Sequence, residues 1–317
     1  MKLIDAGYFS WVYGTRPQFG GWDTLRHSMR EDIFCLDSAD SWRANYVADN
    51  YKGRRAERRA LDPIAQQRKA TVEVFRSLLR EDPLLLTASL PGFEADDVVA
   101  ICFLNRPPDR EIHAVVAEDK DLVQVPGLWE KMQRTDGEFV FDGIRGLPKK
   151  TPGYWSPSKT LRDVLLGQLL FGDRSDSIPR LVYKKDADLV RKIRRLDSPF
   201  TSLYHEFGEI VLQNLMLLVI PCPALHFDWE LKYSLAPERL LQDLDSGEYW
   251  RGVFRSPLIN EFHVEREALA INNVGLRTHS SVHGESSHAS IDGVAFEGAA
   301  DPVDVGSDFW PDEEDPR

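Results

Sequence analysis

The sequence is poor in cysteine and has no long apolar run. Its three cysteines, Cys35, Cys102 and Cys222, are far apart and form no CxxC pair, which argues against a disulfide framework and against a zinc site. Apolar runs such as 215–220 are far shorter than the ~20 residues of a membrane span, and Asp5 interrupts any signal-peptide core. We therefore expect a soluble protein of a reducing cytoplasm, without a membrane partner.

The net charge of −12 is concentrated at the C-terminal end. Residues 276–317 hold ten acidic residues and two arginines, a local charge of −8, whereas residues 1–275 hold 41 acids against 37 bases. Two segments of this body are basic, because residues 43–69 carry a local charge of +5 and residues 184–195 carry +4. An acidic average therefore does not exclude a polyanion as a partner.

Short apolar runs alternate with longer amphipathic ones over the first 140 residues. This pattern is typical of an α/β fold with a parallel sheet flanked by helices. The predicted strands are 2–5, 32–37, 83–89 and 112–118. The predicted helices are 63–79, 95–104, 161–171, 188–196 and 200–220. Residues 45–61 have many arginines and few apolar side chains, which predicts an exposed helix and loop.

Three regions follow from this organisation. We expect residues 1–157 to form an α/β domain and residues 158–270 to form a mainly helical C-terminal part. Residues 271–317 are rich in Ser, Gly, His and Asp and contain few aromatic residues, which predicts a disordered acidic tail.

Acidic residues follow the carboxyl ends of all four predicted strands, and two more lie in a later turn. Each acidic motif alone is typical of a helix cap or a turn. Ligands, however, bind at this edge of open parallel sheets, and carboxylates gathered there would repel one another by up to ~4 kcal/mol per close pair. Oxygen ligands without His or Cys favour Mg²⁺ or Mn²⁺, and two such ions suit phosphodiester hydrolysis. The nine carboxylates are Asp5, Asp37, Glu94, Asp96, Asp97, Asp119, Asp121, Asp173 and Asp176.

Five motifs resemble those of the 5′ nucleases, the family of flap endonucleases, the 5′-nuclease domain of bacterial DNA polymerase I and phage 5′→3′ exonucleases. The family motifs are LIDG, D…FR…YKxxR, GxEADD, GDKDLxQ and GDxSDNIP, in that order. Their counterparts here are LIDAG (3–7), Asp37 with WR (42–43) and YKGRR (51–55), PGFEADDVVA (91–100), EDKDLVQ (118–124) and GDRSDSIP (172–179). The chain length and the acidic tail most resemble a bacteriophage replication exonuclease.

The resemblance implies a PIN-like catalytic domain that uses two Mg²⁺ or Mn²⁺ ions to cut duplex, nicked or flapped DNA near 5′ ends. It also implies a role in phage DNA replication, in primer removal or host DNA degradation, in the cytoplasm of the host cell. The nine carboxylates match metal-site positions of the family, and Asp119 and Asp121 are also predicted to be catalytic. Lys52 and Arg55 match residues that steer the scissile phosphate. The predicted DNA-binding residues are Arg43, Lys52, Arg54, Arg55, Arg58, Arg59, Lys184, Lys185, Arg191 and Arg195.

The sequence departs from the family most clearly after Pro179. The family continues there with the glycine-rich turns of a helix–three-turn–helix, which binds duplex DNA through main-chain N–H groups and a K⁺ ion. Residues 180–195 contain no glycine, so we expect side-chain cations to replace this hairpin and we expect no K⁺ site. Ala6 and Glu118 also stand where the family has glycine.

Three other functions are consistent with parts of the sequence. A PIN-type ribonuclease would use the same ions on RNA, and a structure-specific DNA-binding protein would keep the fold without turnover. A haloacid-dehalogenase-type phosphatase is disfavoured, because its DxD motif would need an acid at Gly7. The acidic tail, which contains Phe309 and Trp310, could dock a replication protein, shield the basic groove or only aid solubility.

Overall fold

The structure is a computed structural model that describes most of the chain up to residue 252. The described residues are 1–15, 26–38, 41–44, 51–106, 111–135, 137–138, 141–142, 147–148, 161–173, 176–182, 187–223 and 237–252. All of them belong to one compact unit, Met1–Val274. The predicted domain boundary after residue 157 and the predicted acidic tail both lie outside the described residues.

Five parallel strands form the central sheet in the order β3-β2-β1-β4-β5, which confirms the predicted fold class. The strands are β1 (Lys2–Asp5), β2 (Ile33–Cys35), β3 (Leu86–Ala88), β4 (Ala114–Val116) and β5 (Met132–Gln133). Three of the four predicted strands are shorter than expected, and β5 was not predicted. A separate antiparallel pair joins β6 (Phe141–Asp142) to β7 (Leu147–Pro148).

Helices follow most of the strands and make up the C-terminal part of the unit. They are α1 (Ala6–Thr15), α2 (Gly53–Leu61), α3 (Pro63–Glu81), α4 (Ala95–Leu104), α5 (Leu161–Phe171), α6 (Ala187–Arg194), α7 (Pro199–Phe207), α8 (Glu209–Leu218), α9 (Pro237–Ser246) and α10 (Tyr249–Gly252). The single helix predicted at 200–220 was wrong, because Gly208 adopts a positive φ of 70° and divides this segment into α7 and α8. Among the described residues, we find no helix with the length and apolarity of a membrane span.

Alternate residues of the central strands face opposite sides of the sheet, as the two-residue period of a strand requires. Leu3 packs in one core cluster with α4 and the C-terminal helices. Ile4 packs in the other cluster, with Phe34, and with Phe75 and Leu79 from α3. Since helices cover both faces, the carboxyl edge of the sheet is the place where polar side chains can gather.

Candidate metal centre

Five carboxylates lie at the carboxyl edge of the sheet, and we call them the first acidic group. They lie at the ends of the four strands β1 to β4 or in the segments that follow them, with two of the five at the start of the helix after β3. Asp5 ends β1, and its pKa is raised to about 7 by burial and by the charges of Asp37 and Asp119. The charges of Asp37 and Asp119 act on Asp5, so these three carboxylates lie near one another at this edge. The group consists of Asp5, Asp37, Glu94, Asp96 and Asp119.

Asp96, in the first turn of α4, is the member of this group whose burial is offset least by hydrogen bonds. Among the described residues, no hydrogen-bond donor reaches its buried Oδ1 atom. Burial raises its pKa well above the usual range, and the neighbouring charges of Asp119 and Asp5 raise it further. A buried carboxylate oxygen without a donor costs free energy, and a divalent cation bound by oxygen ligands would remove that cost.

Asp37 is held from two sides. The backbone N–H of Ala95 donates to its Oδ1 at 2.8 Å, and Arg76 of α3 forms an ion pair with its Oδ2. Gly7 leaves room for this pair, because a Cβ there would lie 3.0 Å from the Arg76 Nη2 atom and 3.2 Å from the Asp5 Oδ1 atom. Arg76 is therefore a site residue that sequence reasoning missed, and nothing in its helical context marks it.

Glu94 is the N-cap of α4. Its neighbours lower its pKa, whereas the surroundings of Asp5 and Asp96 raise theirs. Its side chain accepts hydrogen bonds from the Lys52 Nζ at 2.9 Å, the Tyr51 hydroxyl at 3.1 Å and the Ser41 hydroxyl at 3.0 Å. Burial opposes the ionisation of Glu94, but the charges of Arg43 and Lys52 outweigh it and lower its pKa to about 2. Glu94 is therefore a carboxylate at any pH at which the protein would be studied.

Lys52 links the first acidic group to a second one. Its side chain pairs with Glu94, while its backbone N–H donates to the Asp176 carbonyl at 3.0 Å. Burial lowers the pKa of the Lys52 ammonium, but the charges of Glu94 and Asp176 outweigh burial and raise it. The residue adopts a left-handed φ of 56°, which is uncommon outside glycine and is typical of functional sites.

The second acidic group consists of Asp121, Asp173 and Asp176. One carboxylate oxygen from each lies within 4.8 Å of the others, a spacing that one metal ion can bridge. The turn that carries Asp173 and Asp176 is closed by two backbone hydrogen bonds between Asp173 and Ile178, of 3.1 and 2.7 Å. Gly172 is required beside this turn, since its φ is 66° and a Cβ would lie 2.6 Å from the Ile178 carbonyl oxygen. Oxygen ligands of this kind fit Mg²⁺ or Mn²⁺.

Asp97 lies behind the site rather than in it. It is fully buried, and both of its oxygens accept hydrogen bonds from Arg43, at 2.5 and 2.8 Å. The backbone N–H groups of Cys222 and Glu94 donate to the same carboxylate, at 2.7 and 3.2 Å. With this many donors, Asp97 needs no cation, so these contacts favour a structural role over the predicted ligand role.

The same contacts bear on Arg43, which was predicted to contact DNA. Its side chain is 2% exposed and also donates to the Val219 carbonyl at 3.0 Å, so these contacts favour a structural role for Arg43. Arg43 begins the basic segment 43–69 but precedes the predicted exposed segment 45–61, and it turns inward because Asp97 provides a buried opposite charge.

The other predicted DNA-binding residues are described only in part. Helix α2, which carries Arg54, Arg55, Arg58 and Arg59, begins directly after Lys52, but the placement of these four side chains is outside the description. Lys184 and Lys185 lie outside the described residues. Arg191 and Arg195 are exposed, and Arg191 forms an ion pair with Asp188.

We compared the chain with known proteins by sequence and by structure. No family model and no curated protein matches the sequence. Two solved structures of bacteriophage T5 proteins are similar: the D15 flap endonuclease in a pseudo-enzyme-product complex with DNA and metal ions, and the D15 protein co-crystallised with metal ions. Each is 15% identical, has a TM-score of 0.51, and the match covers 85% of this chain and 98% of the T5 chain. The chain therefore folds like the flap endonuclease of bacteriophage T5, which confirms the fold that the resemblance to 5′ nucleases implies.

Proposed function

We propose that this chain is a metal-dependent 5′ nuclease that hydrolyses DNA phosphodiesters near 5′ ends, as an exonuclease and flap endonuclease in phage DNA replication. The observation that carries the proposal is the pair of acidic groups joined by Lys52 at the carboxyl edge of a parallel sheet. The likeness in fold to a T5 flap endonuclease, itself solved with DNA and metal ions, supports the same function.

Two Mg²⁺ or Mn²⁺ ions would be held by the carboxylates of the first and second acidic groups. When bound, such ions supply positive charge that activates water and stabilises the in-line displacement at phosphorus. The residues fit this role because Asp96 has a buried oxygen without a donor among the described residues and because Asp121, Asp173 and Asp176 bring their oxygens together.

Lys52 contributes a positively charged side chain at the same edge of the sheet. A phosphate that approaches this edge would meet the Lys52 ammonium, which can leave Glu94 and stabilise the charge that develops on the phosphate. Arg55, in the first turn of α2, is proposed to act with it.

DNA would be gripped on either side of the cleavage site. We propose that Arg54, Arg55, Arg58 and Arg59 of α2, with Lys184, Lys185, Arg191 and Arg195 around α6, contact phosphates of the duplex. We further propose that the acidic tail docks a replication protein. Deletion of residues 276–317 tests this, since unchanged binding to replication proteins together with tighter non-specific DNA binding would indicate shielding instead.

The proposed activity is tested by product mapping on 5′-labelled blunt, nicked and flapped DNA, with matched RNA duplexes. In Mg²⁺ the label should be released rapidly from DNA as short 5′ products, and EDTA should abolish release. Asp119→Ala and Asp121→Ala should lose cleavage while they still bind the substrates. Persistence of the label at high enzyme concentration would favour a binding protein, and preferential cleavage of RNA would indicate a ribonuclease.

A further inference from the structure

Two buried glutamines lie behind the second acidic group. Gln124 ends the short 3₁₀ helix Lys120–Gln124, and Gln168 belongs to α5. Their exposed fractions are 0% and 1%, so each amide must find its hydrogen-bond partners within the protein. The role of these two side chains is not explained by packing alone.

The orientation of Gln124 is fixed by the backbone at the C-terminal end of α8 and just beyond it. Its Nε2 donates to the Leu218 carbonyl at 2.8 Å, and its Oε1 accepts from the Ile220 N–H at 3.3 Å. The same Nε2 donates to the Gln168 Oε1 at 2.9 Å. Exchange of oxygen and nitrogen in Gln124 would break both contacts with the backbone, so one orientation is strongly preferred.

The orientation of Gln124 determines which end of the Gln168 amide, the oxygen or the NH₂ group, faces the acidic residues. Since its oxygen faces the Gln124 donor, its NH₂ group points the other way and donates to the Asp121 Oδ1. If the Gln168 amide were flipped, its NH₂ group would face the NH₂ group of Gln124 and its oxygen would face a carboxylate. The chain of hydrogen bonds therefore runs in one direction, from the Ile220 N–H through the two amides to the Asp121 carboxylate.

We propose that Gln168, oriented by Gln124, is a positioning residue that holds the Asp121 carboxylate in place for a divalent cation. This inference rests on the proposed function. A neutral amide fixes the carboxylate without adding a positive charge that would compete with a bound cation. Asp97 shows the contrast, because the charge of Arg43 neutralises that carboxylate.

The proposal is tested by titration of the full chain with Mn²⁺, with binding measured by electron paramagnetic resonance and by calorimetry. Gln168→Met keeps a similar volume but removes the donor, and it should weaken one class of bound Mn²⁺ by about 10–100-fold. Gln168→Asn retains an amide that is too short for both contacts, and it should weaken the same class if the methionine variant does not fold. Leu241→Ala, a core change in α9, is the control: it should lower stability and leave Mn²⁺ affinity unchanged.

The outcomes separate this inference from the proposed function. Unchanged Mn²⁺ affinity in a folded Gln168→Met or Gln168→Asn chain would overturn the positioning role and leave the proposed nuclease activity standing. Failure of the unaltered chain to bind Mn²⁺ would overturn the proposed function, and the inference would fall with it.

Discussion

Arg43 and Asp97 form a buried, two-pronged ion pair, with the Arg43 Nη1 2.5 Å from the Asp97 Oδ2 and the Nη2 2.8 Å from the Oδ1. The pair connects the segment after β2 to the first turn of α4. Through Val219 and Cys222 it also reaches the backbone that follows α8. It therefore fixes the helix start that presents Glu94 and Asp96 to the candidate metal centre.

Removal of one partner of this pair should lower the stability of the protein. Arg43→Ala leaves the Asp97 charge buried without its main partner, so we expect the free energy of unfolding to fall by about 3–5 kcal/mol in urea denaturation. Arg191→Ala removes a cation from an exposed ion pair with Asp188 and should change stability by less than about 1 kcal/mol. Equal effects of the two substitutions would contradict the buried role of Arg43.

Gly172 should tolerate no side chain. Gly172→Ala combines a positive φ with a Cβ that meets the Ile178 carbonyl, so it should distort the Asp173–Asp176 turn and weaken Mn²⁺ binding as well as stability. Gly247→Ala is a matched control, because Gly247 has a φ of 76° but nothing within 4 Å of its Cβ position. We expect the control to cost about 1–2 kcal/mol of stability and to keep Mn²⁺ affinity. Normal Mn²⁺ binding by Gly172→Ala would show that the turn does not form part of the site.

The stability of the metal-free protein should depend on Asp5. Its folded-state pKa of about 7 exceeds the ordinary value of 3.8, so the folded state binds this proton more tightly than the unfolded chain does. The stabilising effect of protonation is complete below pH ~4 and disappears as the pH rises through 7. In EDTA, the free energy of unfolding should therefore fall by up to about 2–3 kcal/mol between pH 5 and pH 8.

The control for this pH dependence is Asp5→Asn, which cannot ionise. It should lack most of the decline, and addition of Mg²⁺ to the unaltered protein at pH 8 should restore stability. If the two proteins had parallel pH profiles in EDTA, this would show that burial and neighbouring charges do not raise the pKa of Asp5.

Lys52 should act on the chemical step. Lys52→Met keeps much of the side-chain volume but removes the charge, and it should lower the single-turnover cleavage rate by about 10²-fold or more. Lys131→Met is the control, since Lys131 lies 3.8 Å from Glu111, which precedes β4 at the opposite edge of the sheet. A single-turnover rate unchanged by Lys52→Met would remove Lys52 from the mechanism.

Local sequence patterns predicted the central elements well. The helices at 95–104 and 161–171 and strand β1 have the predicted bounds, because each contains an apolar run that polar or glycine residues delimit in the sequence. The acidic residues at strand ends were also found from the sequence, since the carboxyl edge of a parallel sheet gathers them whatever the details of packing.

Contacts between distant segments could not be predicted in the same way. The pairing of Arg76 with Asp37 and the chain from Gln124 through Gln168 to Asp121 join residues that are about 40 positions apart in sequence. The inward turn of Arg43 depends on Asp97, 54 positions later. Strand β5 has two residues, too few to show a period.

Anomalous diffraction from crystals soaked in Mn²⁺ gives the most direct test of a two-ion site. We expect two anomalous peaks per chain, contacted by carboxylates of the first and second acidic groups, and loss of a peak in Asp96→Asn or Asp173→Asn crystals. Well-ordered crystals with no Mn²⁺ peak near these carboxylates would show that they do not form a metal centre.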